Sequence, residues 1–286
     1  SAYKFVNNIL RNKKINVLHI LDMVGGSSIQ SHFYKKFGYG NSWVLSSKNA
    51  HPVIKHYGEV EKLPRVRNVL WKGLKRSRNP DVDLVFVHGS EMLVPFFKIF
   101  SNKKVILQYH GSDVNDPKRS KNIFRIIARS MADTIIYNQK AHLKRIITIK
   151  NVKKTYHVNA VDTDLFVSNN DNKKGSRAFI SWNLDKEATK KLLKKFDGIT
   201  IIDTENAKIP YEEIPEILNK YEMLVDLKIT DYGLLVPTLS KLALQALSCG
   251  CKVYTFENKI KEKLPDRHKP EIVMKKLYDL FLEVTS

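Results

Sequence analysis

Two histidines in this sequence stand at the same kind of place. His110-Gly111-Ser112-Asp113 follows the apolar run 105–109, and His88-Gly89-Ser90-Glu91 follows the apolar run 83–87. An imidazole just past a strand can donate to an oxygen or shuttle a proton near neutral pH. The plainer alternative is a loop histidine that caps local backbone. The repeated His-Gly-Ser ending makes His88, Glu91, His110 and Asp113 candidates for one polar site. Glu91 alternatively serves as an acidic residue in the first turn of its helix, where the dipole favours it. Gly25-Gly26-Ser27 follows the first apolar run, 15–20, and opens a helical stretch. Glycines let backbone approach a ligand closely, and a helix start presents N–H groups to an anion; a tight turn serving the chain path reads equally from these residues. The segment matches neither G-x-G-x-x-G nor a P-loop.

A second group lies further along. Thr238-Leu239-Ser240 precedes the apolar helix 241–247, so Ser240 or Thr238 caps it. Such a start either holds an anion of the diphosphate type or is simply capped. Lys186, in Trp182-Asn183-Leu184-Asp185-Lys186, is placed to neutralise a phosphate as a point charge, or is a solvated helix lysine. Asn159-Ala160-Val161-Asp162-Thr163-Asp164-Leu165-Phe166 is a polar turn with Asx-type residues and reads as a hinge between domains. No Cys/His spacing suits a metal, so the expected metal ligands are none. The two cysteines, Cys249 and Cys251, make no disulfide framework, and point to a reducing, cytoplasmic setting.

The elements that must position these residues follow a strand-then-helix rhythm. Short continuous apolar runs alternate with helical stretches from residue 15 to 158. The polar stretch Ser168 to Gly175, reading SNNDNKKG, interrupts the rhythm, and it restarts at 178. Continuous apolar strands imply parallel pairing buried on both faces. The expected fold class is α/β, with two Rossmann-like doubly wound domains, 1–168 and 169–286, facing a cleft, the second one reduced. In such sheets ligands bind beyond the carboxyl ends of the strands, which is where the histidines and Gly25-Gly26 fall.

The 286 residues carry 49 Lys and Arg against 29 Asp and Glu, a formal charge of +20, and 43% are hydrophobic. That composition excludes a fully disordered chain. The charge is uneven: +18 up to Ser168 and +2 beyond it. Such an asymmetry suits an anionic partner or a solubilising basic surface. The basic helix 66–75, with Arg65, Arg67, Lys72, Lys75 and Arg76 in or beside it, is the candidate patch. No nucleic-acid-binding module is recognisable, and no nucleic acid is expected as partner. No apolar run approaches the ~18 residues of a membrane-spanning helix, and the first residues lack the apolar stretch of a secretory signal.

Taken in order, several segments resemble the glycosyltransferases of the family 4 type (group 1), which have the GT-B fold. They are the strand with Gly25-Gly26, the strand Asp81-Val82-Asp83-Leu84-Val85-Phe86-Val87-His88, and His110-Gly111-Ser112-Asp113. The turn Asn159 to Phe166 is similar to the family's NGVDxxxF, and Ser240 to Val253 to its xxxALEALACGxPV. The resemblance implies a retaining, metal-independent transfer of a sugar from a nucleotide diphosphate sugar, a co-substrate, with no further cofactor. It implies an acceptor-binding first domain and a donor-binding second one. His110 would sit beside the transferred sugar; Gly25, Gly26, Lys186, Leu239, Ser240 and Gln245 would meet the donor. Where the family carries two glutamates, this chain has Pro237 and Gln245, which marks it as divergent. The basic first domain then suits a glycan or lipid-phosphate acceptor and peripheral attachment to an anionic membrane surface at its inner face. The alternative is a non-catalytic GT-B-like binding or partner protein that has lost the donor-binding carboxylates.

Overall fold

The computed structural model describes residues 13–22, 25–48, 57, 60–110, 122–139, 142–143, 146, 149, 151–169, 174–181, 194, 199–203, 209–226, 239–255, 257 and 259–286. It divides into two compact units, Ser1–Ala160 with Glu271–Ser286, and Val161–Pro270. The sequence places the boundary after Ser168 and gives the last helix to the second domain. The structure ends the first unit at Ala160 and returns the last helix to it. An amphipathic helix carries no mark of which sheet it will cover, so its sequence position misleads.

The first unit is a seven-stranded, wholly parallel sheet in the order β3-β2-β1-β4-β5-β6-β7. Its strands are β1 (Val17–Ile20), β2 (Ser42–Ser47), β3 (Val60–Leu63), β4 (Leu84–His88), β5 (Lys104–Tyr109), β6 (Thr134–Tyr137) and β7 (Lys153–Tyr156). β1, β4 and β6 are buried along their whole length, which is why they read as continuous apolar runs. Among the described residues its helices are α1 (Gly26–Lys36), α2 (Val66–Ser77), α3 (Val94–Phe100) and α4 (Ile123–Ser130), with α7 (Pro270–Thr285) at the end of the chain. One face of the sheet, with Leu18, Val85, Val87, Leu107 and Ile135, packs against Val69, Leu74 and Phe97 of α2 and α3. The other face lies under α1 and α7: Phe281 meets Phe86 at 5.5 Å and Tyr34 at 5.7 Å between ring centroids. Tyr278 stacks on Tyr39 at 4.6 Å.

The second unit has a five-stranded sheet, order β12-β11-β10-β8-β9. It comprises β8 (Lys174–Ser181), β9 (Ile199–Asp203), β10 (Tyr221–Asp226), β11 (Lys252–Thr255) and the short β12 (Ile260–Lys261). All pair in parallel except β11 with β12. Two helices, α5 (Ile214–Asn219) and α6 (Lys241–Ser248), join Phe166, Leu218, Leu224, Ala246 and Val253 in one core. The turn that the sequence reads as a hinge lies at the unit boundary; Val161 donates to the carbonyl of His268, and Leu165 to the Asp162 carboxylate.

Local geometry explains one glycine. Gly40 enters β2 at φ 154°, and a Cβ built there would lie 2.1 Å from the Ile15 carbonyl oxygen. That backbone cannot yield, because Ile15 donates to Tyr39 and Val17 to Asn41 just beside it. Gly40→Ala is therefore expected to destabilise the first unit by about 2–3 kcal/mol through overpacking and backbone strain. Chemical denaturation of the two proteins checks this.

Candidate functional site

The parallel register of β1, β4 and β5 assembles the site. His19 stands beside Phe86, and His88 beside Gln108. Residues two apart on a strand share a face, so His19, His88, Gln108 and His110 all project to the side covered by α1 and α7. There the three imidazoles form a chain. His19 Nδ1 lies 3.0 Å from His88 Nε2, and His88 Nδ1 lies 3.0 Å from His110 Nε2. The rings are near parallel, 18° and 25° apart in successive pairs. His19 and His88 are buried; His110 is partly exposed.

Burial sets the charge of this chain. It lowers the His88 pKa well below its usual value, with His19 and His110 adding repulsion. It brings His19 down to about 3, with Lys35 adding to the effect. Both are neutral at pH 7. A neutral imidazole has one N–H and one acceptor nitrogen. Two inner rings in series therefore leave two arrangements: both carry the proton on Nδ1, or both carry it on Nε2. In the first, His88 Nδ1 donates to His110 Nε2; in the second, it accepts from His110 Nε2. The inner histidines thus govern which role His110 takes.

Gly26 makes room for the end of the chain. A Cβ on Gly26 would lie 3.1 Å from His110 Cε1 and 3.6 Å from Nδ1. Gly25 adopts φ 71°, the left-handed turn that glycine tolerates. The two glycines and His110 are thus brought together, as the sequence suggested. The helix start beside them is occupied from within, however. The buried Asp22 carboxylate accepts from the backbone N–H of Ser27 at 3.0 Å and of Ser28 at 3.2 Å, and the Ser28 hydroxyl donates to it as well. Around the histidines, Gln30 Nε2 donates to Gln108 Oε1 at 3.1 Å, and Gln108 Nε2 to Asn159 Oδ1 at 3.4 Å.

Glu91 turns elsewhere. It is fully buried, and its Oε1 accepts from Arg125 at 2.8 Å and from the buried Arg129 at 3.1 Å. It anchors α4 to the segment before α3. In the second unit, Ser240 caps α6, its hydroxyl accepting from Ala243 N–H at 3.0 Å. Its own N–H donates to Asp226 Oδ2 at 2.9 Å. Gln245 is buried and donates to the Tyr211 hydroxyl at 3.1 Å. Leu239 packs against the core of this unit. Lys186 and Asp113 lie outside the described residues. Among the described residues no cluster of His, Cys, Asp and Glu could hold a metal ion.

Sequence reasoning passed over His19, Asp22, Gln108 and Asp226. The available signal was a polar residue inside or at the end of an otherwise apolar buried strand, as in the VLHI of β1.

No family model matches this chain, and no curated protein matches it. The matches are to solved structures and show a GT-B fold. HepE of Anabaena, in complex with UDP-glucose, aligns at 11% identity over 95% of this chain and 92% of that chain, with a TM-score of 0.56. A glycosyltransferase from Rickettsia africae aligns at 11% identity over 96% and 93%, with a TM-score of 0.55. The UDP-GlcNAc 2-epimerase of Methanocaldococcus jannaschii aligns at 10% identity over 95% and 100%, with a TM-score of 0.53.

Two outcomes follow. Unfolded histidine takes up a proton near pH 6.5, whereas folded His19 holds out to about 3. The unfolded state therefore binds more protons between those values, and stability falls as pH is lowered through that window. His19→Asn keeps a hydrogen-bonding group near the Nδ1 position without a titrating ring, so its thermal midpoint should fall less steeply between pH 7 and 4. Glu91→Gln leaves two arginines facing a neutral amide, and should cost about 3 kcal/mol in denaturant unfolding.

Proposed function

We propose that this chain is a retaining, metal-independent glycosyltransferase that moves a sugar from a nucleotide diphosphate sugar to a glycan or lipid-linked acceptor at a membrane surface. The observation that carries this reading is the pair of buried, neutral histidines, His19 and His88, leading to His110 beside Gly26, on a fold shared with proteins of sugar-nucleotide chemistry. His110 hydrogen-bonds the transferred sugar through its Nδ1 edge, because Nε2 is engaged by His88. His19 and His88 hold that ring in one orientation and one tautomer. Gly25 and Gly26 keep the ground beside it clear of side chains.

The first unit binds the acceptor and the second the nucleotide. Lys186 neutralises leaving-group charge, as electrostatic stabilisation of the departing diphosphate requires. Leu239 and Ser240 place the start of α6 below it. The ribose contact proposed for Gln245 requires its amide to leave the Tyr211 hydroxyl.

The non-catalytic alternative rests on a specific observation. A strand-end carboxylate, Asp22 or Asp226, already accepts from the start of both α1 and α6, and Gln245 is engaged by Tyr211. An epimerase also shares the fold.

Calorimetry with UDP, GDP and ADP, paired with transfer and hydrolysis assays over several nucleotide sugars, separates these readings. Transferase function predicts specific nucleoside diphosphate uptake and turnover. His110→Ala should lower turnover by about a hundredfold, the usual cost of removing one hydrogen bond to the transition state, while leaving nucleotide affinity nearly unchanged. Lys186→Ala should weaken both. Uptake of no nucleotide would favour the partner protein, and interconversion of the donor sugar without transfer would favour an epimerase.

A further inference from the structure

The layer formed by α2, α3 and α4 carries an unusual surface. Among the described residues thirteen large apolar side chains are exposed, and nine of them lie on these helices or on the segment leading into α3. α3 shows Phe96, Ile99 and Phe100, spaced three and four apart; α4 shows Ile123, Phe124 and Ile127. Such spacing sets each trio along one helix face. The two helices touch each other, and α2 touches α3. Ile99, at 61% exposure, and Phe124, at 70%, face solvent more fully than a satellite of the core would.

The charges on the three helices themselves are of one sign. The three helices hold seven Lys and Arg residues and no acidic residue. Lys72, Arg76, Lys98, Arg125 and Arg129 are paired to Glu61, Asp81, Asp133 and Glu91, all outside the helices. Arg67 and Lys75 have no acidic partner among the described residues, and the first unit as a whole carries +19, from 31 basic and 12 acidic residues. A depression of about 360 Å³ lies at the end of α3, where Arg78 and Lys103 flank Ile99 and Phe100.

We infer that the α3–α4 face is a docking surface for an anionic lipid bilayer, with the aromatic and branched side chains entering the acyl boundary and the flanking cations, Arg78 and Lys103, meeting lipid phosphates. This rests on the membrane placement proposed above and names the surface that achieves it. Apolar side chains rimmed by cations are what an interfacial site requires. A second copy of the chain is the poorer occupant, because a two-fold contact would set the flanking cations Arg78 and Lys103 against those of the other copy.

The test is co-sedimentation with vesicles of phosphatidylcholine alone and of phosphatidylcholine mixed with phosphatidylglycerol. The intact chain should pellet with the mixed vesicles and much less with the neutral ones, and salt raised from about 0.1 M to 0.5 M should weaken pelleting. Phe100→Ser with Phe124→Ser should weaken binding about tenfold or more, with nucleotide uptake unchanged. If that pair unfolds, Ile99→Ser with Ile123→Ser replaces it. Vesicle binding unaltered in a folded variant would overturn the assignment of this face and leave the membrane placement standing. No pelleting of the intact chain would overturn both. A dimer in solution that the substitutions dissolve would assign the face to a second copy instead.

Discussion

A neutral imidazole offers one donor and one acceptor, so His19 and His88, bonded in line, must agree on direction. That constraint organises the first unit. His19 and His88 can remain neutral because β1 and β4 bury them and because α1 and α7 close over that face of the sheet. A charged inner ring would need solvent or a carboxylate, and the structure gives it Phe86 and another imidazole. Sheet register, the returning C-terminal helix and the bare Gly26 therefore serve one arrangement. The result is an imidazole at a strand end whose orientation and tautomer are set by side chains no substrate would touch.

The two units share a second device. At the end of a strand in each, an aspartate accepts from the backbone N–H groups at the start of the following helix: Asp22 for α1 and Asp226 for the Ser240 cap of α6. These carboxylates take up part of the positive end of the helix dipole. An anion approaching either start meets a like charge. On the proposed reading, compensation for a diphosphate falls to a cation, the role proposed for Lys186, rather than to the helix starts alone.

Much of this was legible in the sequence. Parallel strands covered on both faces produce continuous apolar runs, so β1, β4, β5 and β6 could be read directly. β3 could not: its VEKL is half exposed at the sheet edge, and lacks the apolar run of an inner strand. β12, two exposed residues in antiparallel pairing, gave no signal. His88 and His110 stood out because they follow strands. His19 did not, because only register reveals that a histidine inside β1 lines up with one at the end of β4. Glu91 looked like part of the same polar site because it follows His88 closely, but its carboxylate pairs with arginines brought from α4 by the fold. Fold class depends on local pattern and was readable; the partners of buried polar groups depend on tertiary register and were not.

The claim at the centre is that the buried pair His19 and His88 is neutral and aligned. Long-range proton–nitrogen correlation spectra of histidine-labelled protein, recorded from pH 8 to 5, report the tautomer and charge of each ring. The account predicts that His19 and His88 stay neutral throughout and share one tautomer, both protonated on Nδ1 or both on Nε2, with His110 matching them while neutral. An inner ring that becomes imidazolium near its ordinary pKa, or opposite tautomers on His19 and His88, would contradict it.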